Sequence, residues 1–121
     1  MSVKVLLAED DLVNQKVLSA MLELSGVTVE IASNGQEAVD KYSSGDFDLI
    51  LMDCNMPVMD GYKACRTIRQ LENADSHIPI IAITGADMAD DNQTCLDAGM
   101  DDCLMKPIRR AALGELIEKW S

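Results

Sequence analysis

Five short apolar runs alternate along the chain with longer segments of helical periodicity. The runs are rich in branched side chains and cover residues 3–8, 27–32, 49–52, 78–83 and 103–105. Runs of this length and composition are typical of parallel strands buried on both faces. Because parallel strands need a crossover between them, the pattern predicts five strands that alternate with five helices.

The first and last helical segments have the clearest apolar faces. Residues 12–25 predict a helix that ends at Gly26. Its apolar stripe consists of Val13, Val17, Met21 and Leu24. The last segment repeats apolar side chains at i, i+3, i+4 and i+7, namely Leu113, Leu116, Ile117 and Trp120. Such stripes indicate helices that pack one face against a sheet.

The three middle helices carry different signals. The second is predicted to begin at Asn34, with Glu37 three residues on as an approximate capping box. The third covers residues 58–73 and directs Cys65 inward. The fourth, over residues 86–98, has few apolar positions to hold it against a core. We therefore expect the fourth helix to be the most mobile element.

Length and hydrophobic content indicate one domain. The chain has 121 residues, 48% of them hydrophobic, so we expect a single α/β unit over residues 1–121 that needs no disulfide or metal staple. Right-handed crossovers would cover both faces of the sheet with helices. For such a doubly wound (βα)5 fold we expect the strand order 2-1-3-4-5, which opens a crevice at the carboxyl ends of strands one and three.

The net charge and the cysteine spacing limit the classes of binding partner and the cellular compartment that fit this chain. Ten basic against twenty-one acidic residues give a net charge of −11, which predicts no direct nucleic-acid binding and no membrane contact. A partner with a basic surface fits better. The four cysteines have no zinc-type spacing, and neither a secretory leader nor an apolar run of ~20 residues is present. We therefore expect a cytoplasmic protein with reduced thiols.

Charged and polar residues follow the predicted strands at the edge where the crevice opens. Glu9 and Asp10 follow the first strand, and Asp53 follows the third. Thr84 follows the fourth and Lys106 the fifth. An aspartate carboxylate flanked by a hydroxyl and an ammonium could attack a phosphoryl group and form an acyl phosphate. Asp53 is the candidate nucleophile, with Thr84 and Lys106 holding the phosphoryl oxygens.

Three carboxylates at one edge repel each other unless a cation lies among them, and hard oxygen ligands suit Mg²⁺. We expect Asp10 and Asp53 to be direct ligands and the Asn55 main-chain carbonyl a third, with Glu9 either acting through a water or supporting the direct ligands. Asp11 competes for one of these roles. Capping of the first helix is the favoured role for Asp11, and metal binding is favoured for Asp10.

Four segments together resemble the receiver domains of two-component response regulators. They are Glu9-Asp10, the turn Met52-Asp53-Cys54-Asn55-Met56-Pro57-Val58-Met59-Asp60-Gly61, Ile83-Thr84-Gly85 and Met105-Lys106-Pro107. The resemblance covers essentially the whole chain, and it is closest to receivers of hybrid sensor kinases that feed phosphorelays. It implies a flavodoxin-like fold, a cis peptide before Pro107, and a conformational switch rather than an enzyme.

The resemblance also implies the reaction and the partners. Asp53 would accept phosphate from a phosphohistidine on a sensor histidine kinase or a histidine phosphotransfer domain. Glu9, Asp10, Asp53 and Asn55 would hold Mg²⁺, while Thr84 and Lys106 hold the phosphoryl group. Slow loss of the phosphate would return the domain to its resting state.

One position departs from the receiver pattern. Receivers usually carry an aromatic residue three positions before the lysine, where this chain has Cys103. Transmission from Thr84 to the fourth helix and fifth strand must then differ from the usual relay, and packing is one route for it. We expect Cys103 to be a small buried apolar side chain.

Other functions fit less well. Cys103 and Arg109 have the C-x5-R spacing of a tyrosine phosphatase loop, but Pro107 removes an amide that such a loop needs. A phosphohydrolase with an aspartate nucleophile needs a second acid where Asn55 stands. A module that signals without phosphorylation would not need the full set of site residues.

Overall fold

Five strands and four helices lie in the part of the chain that the computed structural model describes, which is residues 3–53, 59–72, 77–84, 97–105 and 108–120. In chain order they are β1 (Lys4–Ala8), α1 (Leu12–Leu24), β2 (Thr28–Ala32), α2 (Gly35–Ser44), β3 (Leu49–Asp53), α3 (Gly61–Leu71), β4 (Ile80–Thr84), β5 (Asp102–Met105) and α4 (Arg110–Trp120). The five predicted strands are confirmed. The predicted fourth helix falls almost entirely on residues 85–96, which lie outside the described residues.

All five strands join one parallel sheet in the order β2-β1-β3-β4-β5, as expected. The register aligns the carboxyl ends of the strands at one edge. Ala8 of β1 pairs with Ala32 on one side and Met52 on the other. The order reverses between β1 and β3, and this reversal opens the crevice where such sheets bind ligands. None of the described helices is long and apolar enough to cross a membrane.

Each face of the sheet has its own hydrophobic core, because alternate side chains of a strand point to opposite faces. Leu6 and Ile50 face α2 and α3, where they pack with Ala38, Val39, Cys65 and Ile68. Leu7 and Leu51 face α1 and α4, where they pack with Leu18, Leu22, Leu113 and Ile117. The sheet is therefore buried on both sides, which explains its continuous apolar strands.

Side chains cap α1, α2 and α3, where polar residues follow a strand or turn. Asn34 accepts a 2.8 Å hydrogen bond from the amide of Glu37 at the start of α2. Asp11 accepts a 3.0 Å bond from the amide of Asn14 and is the N-cap of α1. Gly26, with a φ of 85°, turns the chain after α1. The capping role favoured for Asp11 is confirmed.

The expected apolar stripe of α1 is wrong for three of its four residues, since only Met21 packs against the core. Val13, Val17 and Leu24 are 66%, 47% and 65% exposed. The buried face consists of Gln15, Leu18 and Leu22 instead. A polar residue completes the buried face while apolar residues occupy the exposed one, so hydrophobicity alone selects the wrong side of the helix.

An ion cluster fastens α3 to the opposite, amino-terminal edge of the sheet. The Arg69 guanidinium lies 2.8 Å from the Glu72 carboxylate and 2.7 Å from that of Asp101. It also donates to the main-chain carbonyls of Gly99 and Ile78. Asp101 in turn accepts a bond from the amide of Ile80, the first residue of β4. One side chain thus joins the end of α3 to the segments that precede β4 and β5.

Candidate functional site

Three carboxylates meet at the switch point of the sheet. Glu9 and Asp10 directly follow β1, and Asp53 is the last residue of β3. One oxygen from each side chain lies within 4.8 Å of the other two. Glu9 is fully buried, Asp53 is 3% exposed and Asp10 is exposed. The cluster therefore has a buried floor and one side open to solvent.

Main-chain bonds fix the turn that carries the first two carboxylates. The amide of Glu9 donates to the carbonyl of Ala32 at 3.0 Å. The amide of Asp10 donates to a carboxylate oxygen of Glu9 at 3.0 Å. On the far side, the side-chain amide of Gln15 donates to the Glu9 carbonyl at 2.6 Å. The sequence prediction missed Gln15. Its signal in the sequence is its position at helical spacing from two apolar residues, Leu18 and Leu22.

The donor set fits a hard divalent cation. Carboxylate oxygens are the ligands that Mg²⁺ prefers, and Mg²⁺ needs only a few protein ligands because it keeps several waters. Two of the three carboxylates are buried. Like charges repel more strongly in the protein interior than in water. A cation among the three oxygens would relieve that repulsion. Of the predicted ligands, Asn55 lies outside the described residues.

The other predicted site residues are described only in part. Asp53 pairs with Ile83 across β3 and β4, and Thr84 is the next residue of β4. Thr84 pairs with Met105 at the end of β5. The main chain of Thr84 therefore reaches the same edge as Asp53. The Thr84 side chain, Lys106 and the Lys106–Pro107 peptide lie outside the described part of the structure.

Cys103 packs against the core as expected, although it is only partly buried. It pairs with Ala82 in the middle of β5, away from the strand end, and packs partly buried against the core on the α2 and α3 face. Arg109 is exposed. The thiol thus contributes to the core beside β4.

A parallel sheet of this order with an acidic cluster at its switch point defines the class of receiver domains of two-component phosphorelays. The chain matches the response regulator receiver domain over residues 5–118. It belongs to that family.

Relatives and solved structures agree with this assignment. The chain is 43% identical to the hybrid signal transduction histidine kinase B of Dictyostelium discoideum over 96% of its own length. It spans only 6% of that relative's length. It is also 43% identical, with a TM-score of 0.90, to the receiver domain of the sensor histidine kinase PA1611 from Pseudomonas aeruginosa, and the match covers 99% of this chain and 98% of that one. That structure has a magnesium ion coordinated in its active site cleft.

A second solved structure shows a receiver with its partner. The receiver domain of the Saccharomyces cerevisiae response regulator Ssk1, crystallised with the histidine phosphotransfer protein Ypd1, is 31% identical to this chain with a TM-score of 0.90. The match covers 98% of this chain and 88% of that one.

Proposed function

We propose that Asp53 accepts a phosphoryl group from a phosphohistidine in a Mg²⁺-dependent transfer, and that the phosphorylated domain then controls a partner. The observation that carries this proposal is the near-complete burial of Asp53 beside Glu9 and Asp10 at the switch point. A structural aspartate would gain nothing from two acidic neighbours. A metal-binding nucleophile needs them.

The transfer moves one phosphoryl group between two side chains. A carboxylate oxygen of Asp53 attacks the phosphorus, forming a P–O bond as the P–N bond to the donor imidazole breaks. The bonding pair of electrons stays on the imidazole nitrogen, which then takes up a proton. The product on this chain is an acyl phosphate. Its hydrolysis by water returns Asp53 to a carboxylate, so the domain takes part in its own slow dephosphorylation without turning over a substrate.

Each site residue then has a role. Asp10 and Asp53 would hold Mg²⁺ directly, with the Asn55 carbonyl as a third ligand and Glu9 acting through a water. The bound ion would neutralise charge on the phosphoryl oxygens. Thr84 would donate its hydroxyl to one of these oxygens, and Lys106 would pair with another. Loss of either group should slow the transfer without preventing metal binding.

The exposed face of α1 supports a protein partner that brings the phosphohistidine. Leu12, Val13 and Val17 are exposed apolar residues in the first half of the helix, directly after the acidic turn. A donor histidine must approach the open side of the cluster, where Asp10 is exposed, and its carrier would then cover these residues. An apolar patch next to a reactive group is typical of a docking surface. The partner would be a histidine phosphotransfer domain or a sensor histidine kinase.

The described cysteines support a reducing compartment. Cys65 and Cys103 form no disulfide, as expected in a reducing environment. We place the domain in the cytoplasm.

Incubation with acetyl phosphate, followed by intact mass measurement, tests the proposal. The wild type should gain one phosphoryl group with Mg²⁺ and none after chelation. Asp53→Asn should gain none, whereas Cys103→Ser should react like the wild type. An adduct on Asp53→Asn would remove Asp53 from this role, and an adduct lost in Cys103→Ser would favour a thiol phosphatase.

A further inference from the structure

Gln15 is a polar residue on the buried face of α1. It is 7% exposed and lies on the same face as Leu18 and Leu22, which pack against the sheet. Burying an amide costs free energy unless its hydrogen bonds are satisfied. An apolar residue at this position would avoid that cost and would continue the stripe. A buried amide at this position is therefore expected to make specific hydrogen bonds.

Its main contact is with the turn that carries the acidic pair. The strand pairing of β1 ends at Ala8 on both sides, so the carbonyl of Glu9 lies one residue beyond the ladder. The side-chain nitrogen of Gln15 donates to that carbonyl at 2.6 Å. The orientation of the amide is unambiguous at this contact, because a carbonyl oxygen can only accept. Gln15 thus ties the residue that follows β1 to α1.

A second contact extends the tie to the neighbouring loop. The same nitrogen lies 3.5 Å from the hydroxyl of Ser33, the residue after β2. The amide of Glu9 already donates to Ala32, the last residue of β2. The amide and the carbonyl of Glu9 are therefore both held, one by β2 and the other by α1.

We propose that Gln15 is a positioning residue that orients the Glu9–Asp10 turn for Mg²⁺ binding. The inference rests on the proposed function, since it takes Asp10 and Asp53 as the ligands of the ion. Gln15 itself touches neither metal nor phosphate. By fixing the Glu9 carbonyl it fixes the peptide that leads into Asp10, and thus the distance between the carboxylates of Asp10 and Asp53. Partners that orient ligands in this way typically change metal affinity by about 10- to 100-fold.

Two variants of similar size remove the donor. Gln15→Met keeps the length of the side chain, and Gln15→Glu keeps its shape but, when ionised, can only accept. Leu22→Ala is the control for stability: it creates a cavity on the same buried face, far from the acidic turn. Mg²⁺ affinity of the unphosphorylated protein is measured by calorimetric titration, and the exchange rate of the Glu9 and Asp10 amides is measured by NMR without metal.

We expect both Gln15 variants to bind Mg²⁺ about 10-fold more weakly and to exchange the two amides faster. Phosphorylation by acetyl phosphate should need more Mg²⁺ but reach the wild-type rate at saturation. Leu22→Ala should lower the melting temperature at least as much as the Gln15 variants do, while leaving Mg²⁺ affinity unchanged. Rescue of Gln15→Met by high Mg²⁺ would mark a positioning effect, as opposed to loss of the fold.

The outcomes separate this inference from the proposed function. Wild-type affinity and amide exchange in Gln15→Met would overturn the role of Gln15 and leave the phosphoacceptor function standing. Weakened binding in Leu22→Ala to the same degree would reduce Gln15 to a general stabilising residue. If the wild type neither bound Mg²⁺ nor accepted phosphate, the proposed function would fail. In that case, unchanged amide exchange in Gln15→Met would also show that Gln15 does not orient the Glu9–Asp10 turn.

Discussion

Carboxylate oxygens of Asp10, which follows β1, and of Asp53, which ends β3, lie within 4.8 Å of each other. Asp10 is open to solvent, whereas Asp53 is almost fully buried. This pairing puts the candidate nucleophile at the floor of the site and a candidate metal ligand at its mouth. Among the described residues of the cluster, Asp10 provides the exposed side from which a donor group could approach Asp53. Under the proposed function, Mg²⁺ and the phosphodonor would therefore use the same opening.

Loss of the Asp10 carboxylate should weaken Mg²⁺ binding by more than about 10-fold, because changes to groups that merely support metal ligands already cost about that much. Asp10→Asn is the test variant, and calorimetric titration is the measurement. Asp11→Asn is a matched control. It removes the neighbouring charge, yet asparagine caps a helix as well as aspartate does. Equal losses in the two variants would mean that total charge, and not ligation by Asp10, controls binding.

The exposed apolar face of α1 should matter for a protein donor and not for a small one. Val13→Ser combined with Val17→Ser should slow transfer from a phosphorylated histidine phosphotransfer protein by about 10-fold, as expected when apolar contacts at the centre of an interface are lost. Phosphorylation by acetyl phosphate should not change. Leu24→Ser, an equally exposed position at the other end of α1, is the control. Slower transfer in the control alone would place the docking surface elsewhere.

Removal of the Arg69 side chain should destabilise the fold strongly. Arg69→Met removes the guanidinium from Glu72 and Asp101, both largely buried, and leaves them only the exposed His77 ring as a side-chain partner among the described residues. Breaking such a pair costs about 3 kcal/mol or more of unfolding free energy, measurable by urea denaturation. Arg66→Met, at an exposed position of the same helix, should change stability by less than about 0.5 kcal/mol. A loss of similar size in both variants would contradict the assigned role of the ion cluster.

Alkaline conditions should destabilise the fold through Cys65. Burial raises the pKa of this thiol to about 11. Its folded-state pKa lies above the unfolded value, so its contribution is fully present below the unfolded pKa and is lost as pH rises through the folded one. Between pH values of about 9 and 11 the wild type should lose about 2 to 3 kcal/mol relative to Cys65→Ala. Parallel stability curves for the two proteins over that range would refute this.

The sheet was predictable because its strands are apolar throughout. A strand that is buried on both faces is a continuous apolar run, so a run such as residues 49–52 can be recognised without deciding which face is buried. The carboxyl ends of parallel strands share one edge, which is why Glu9, Asp10 and Asp53 could be placed together from the sequence. These two regularities account for the successful part of the prediction.

The orientation of α1 was not predictable by hydrophobicity. Its exposed side carries Val13 and Val17, and its buried side carries Gln15. The proposed docking surface would explain the exposed apolar residues, and the hydrogen bond to the Glu9 carbonyl explains the buried amide. The Arg69 cluster was missed for a different reason, since its members are distant in sequence and no local pattern connects Arg69 with Asp101.

The identity of the phosphorylated residue tests the account most directly. After reaction with a phosphohistidine donor and Mg²⁺, reduction with borohydride converts an acyl phosphate at an aspartate into homoserine, which peptide mass spectrometry can locate. We expect homoserine at position 53 alone, and none when Mg²⁺ is chelated. Homoserine at position 10, or a phosphorylated protein that carries no homoserine at all, would contradict the assignment of Asp53 as the phosphoacceptor.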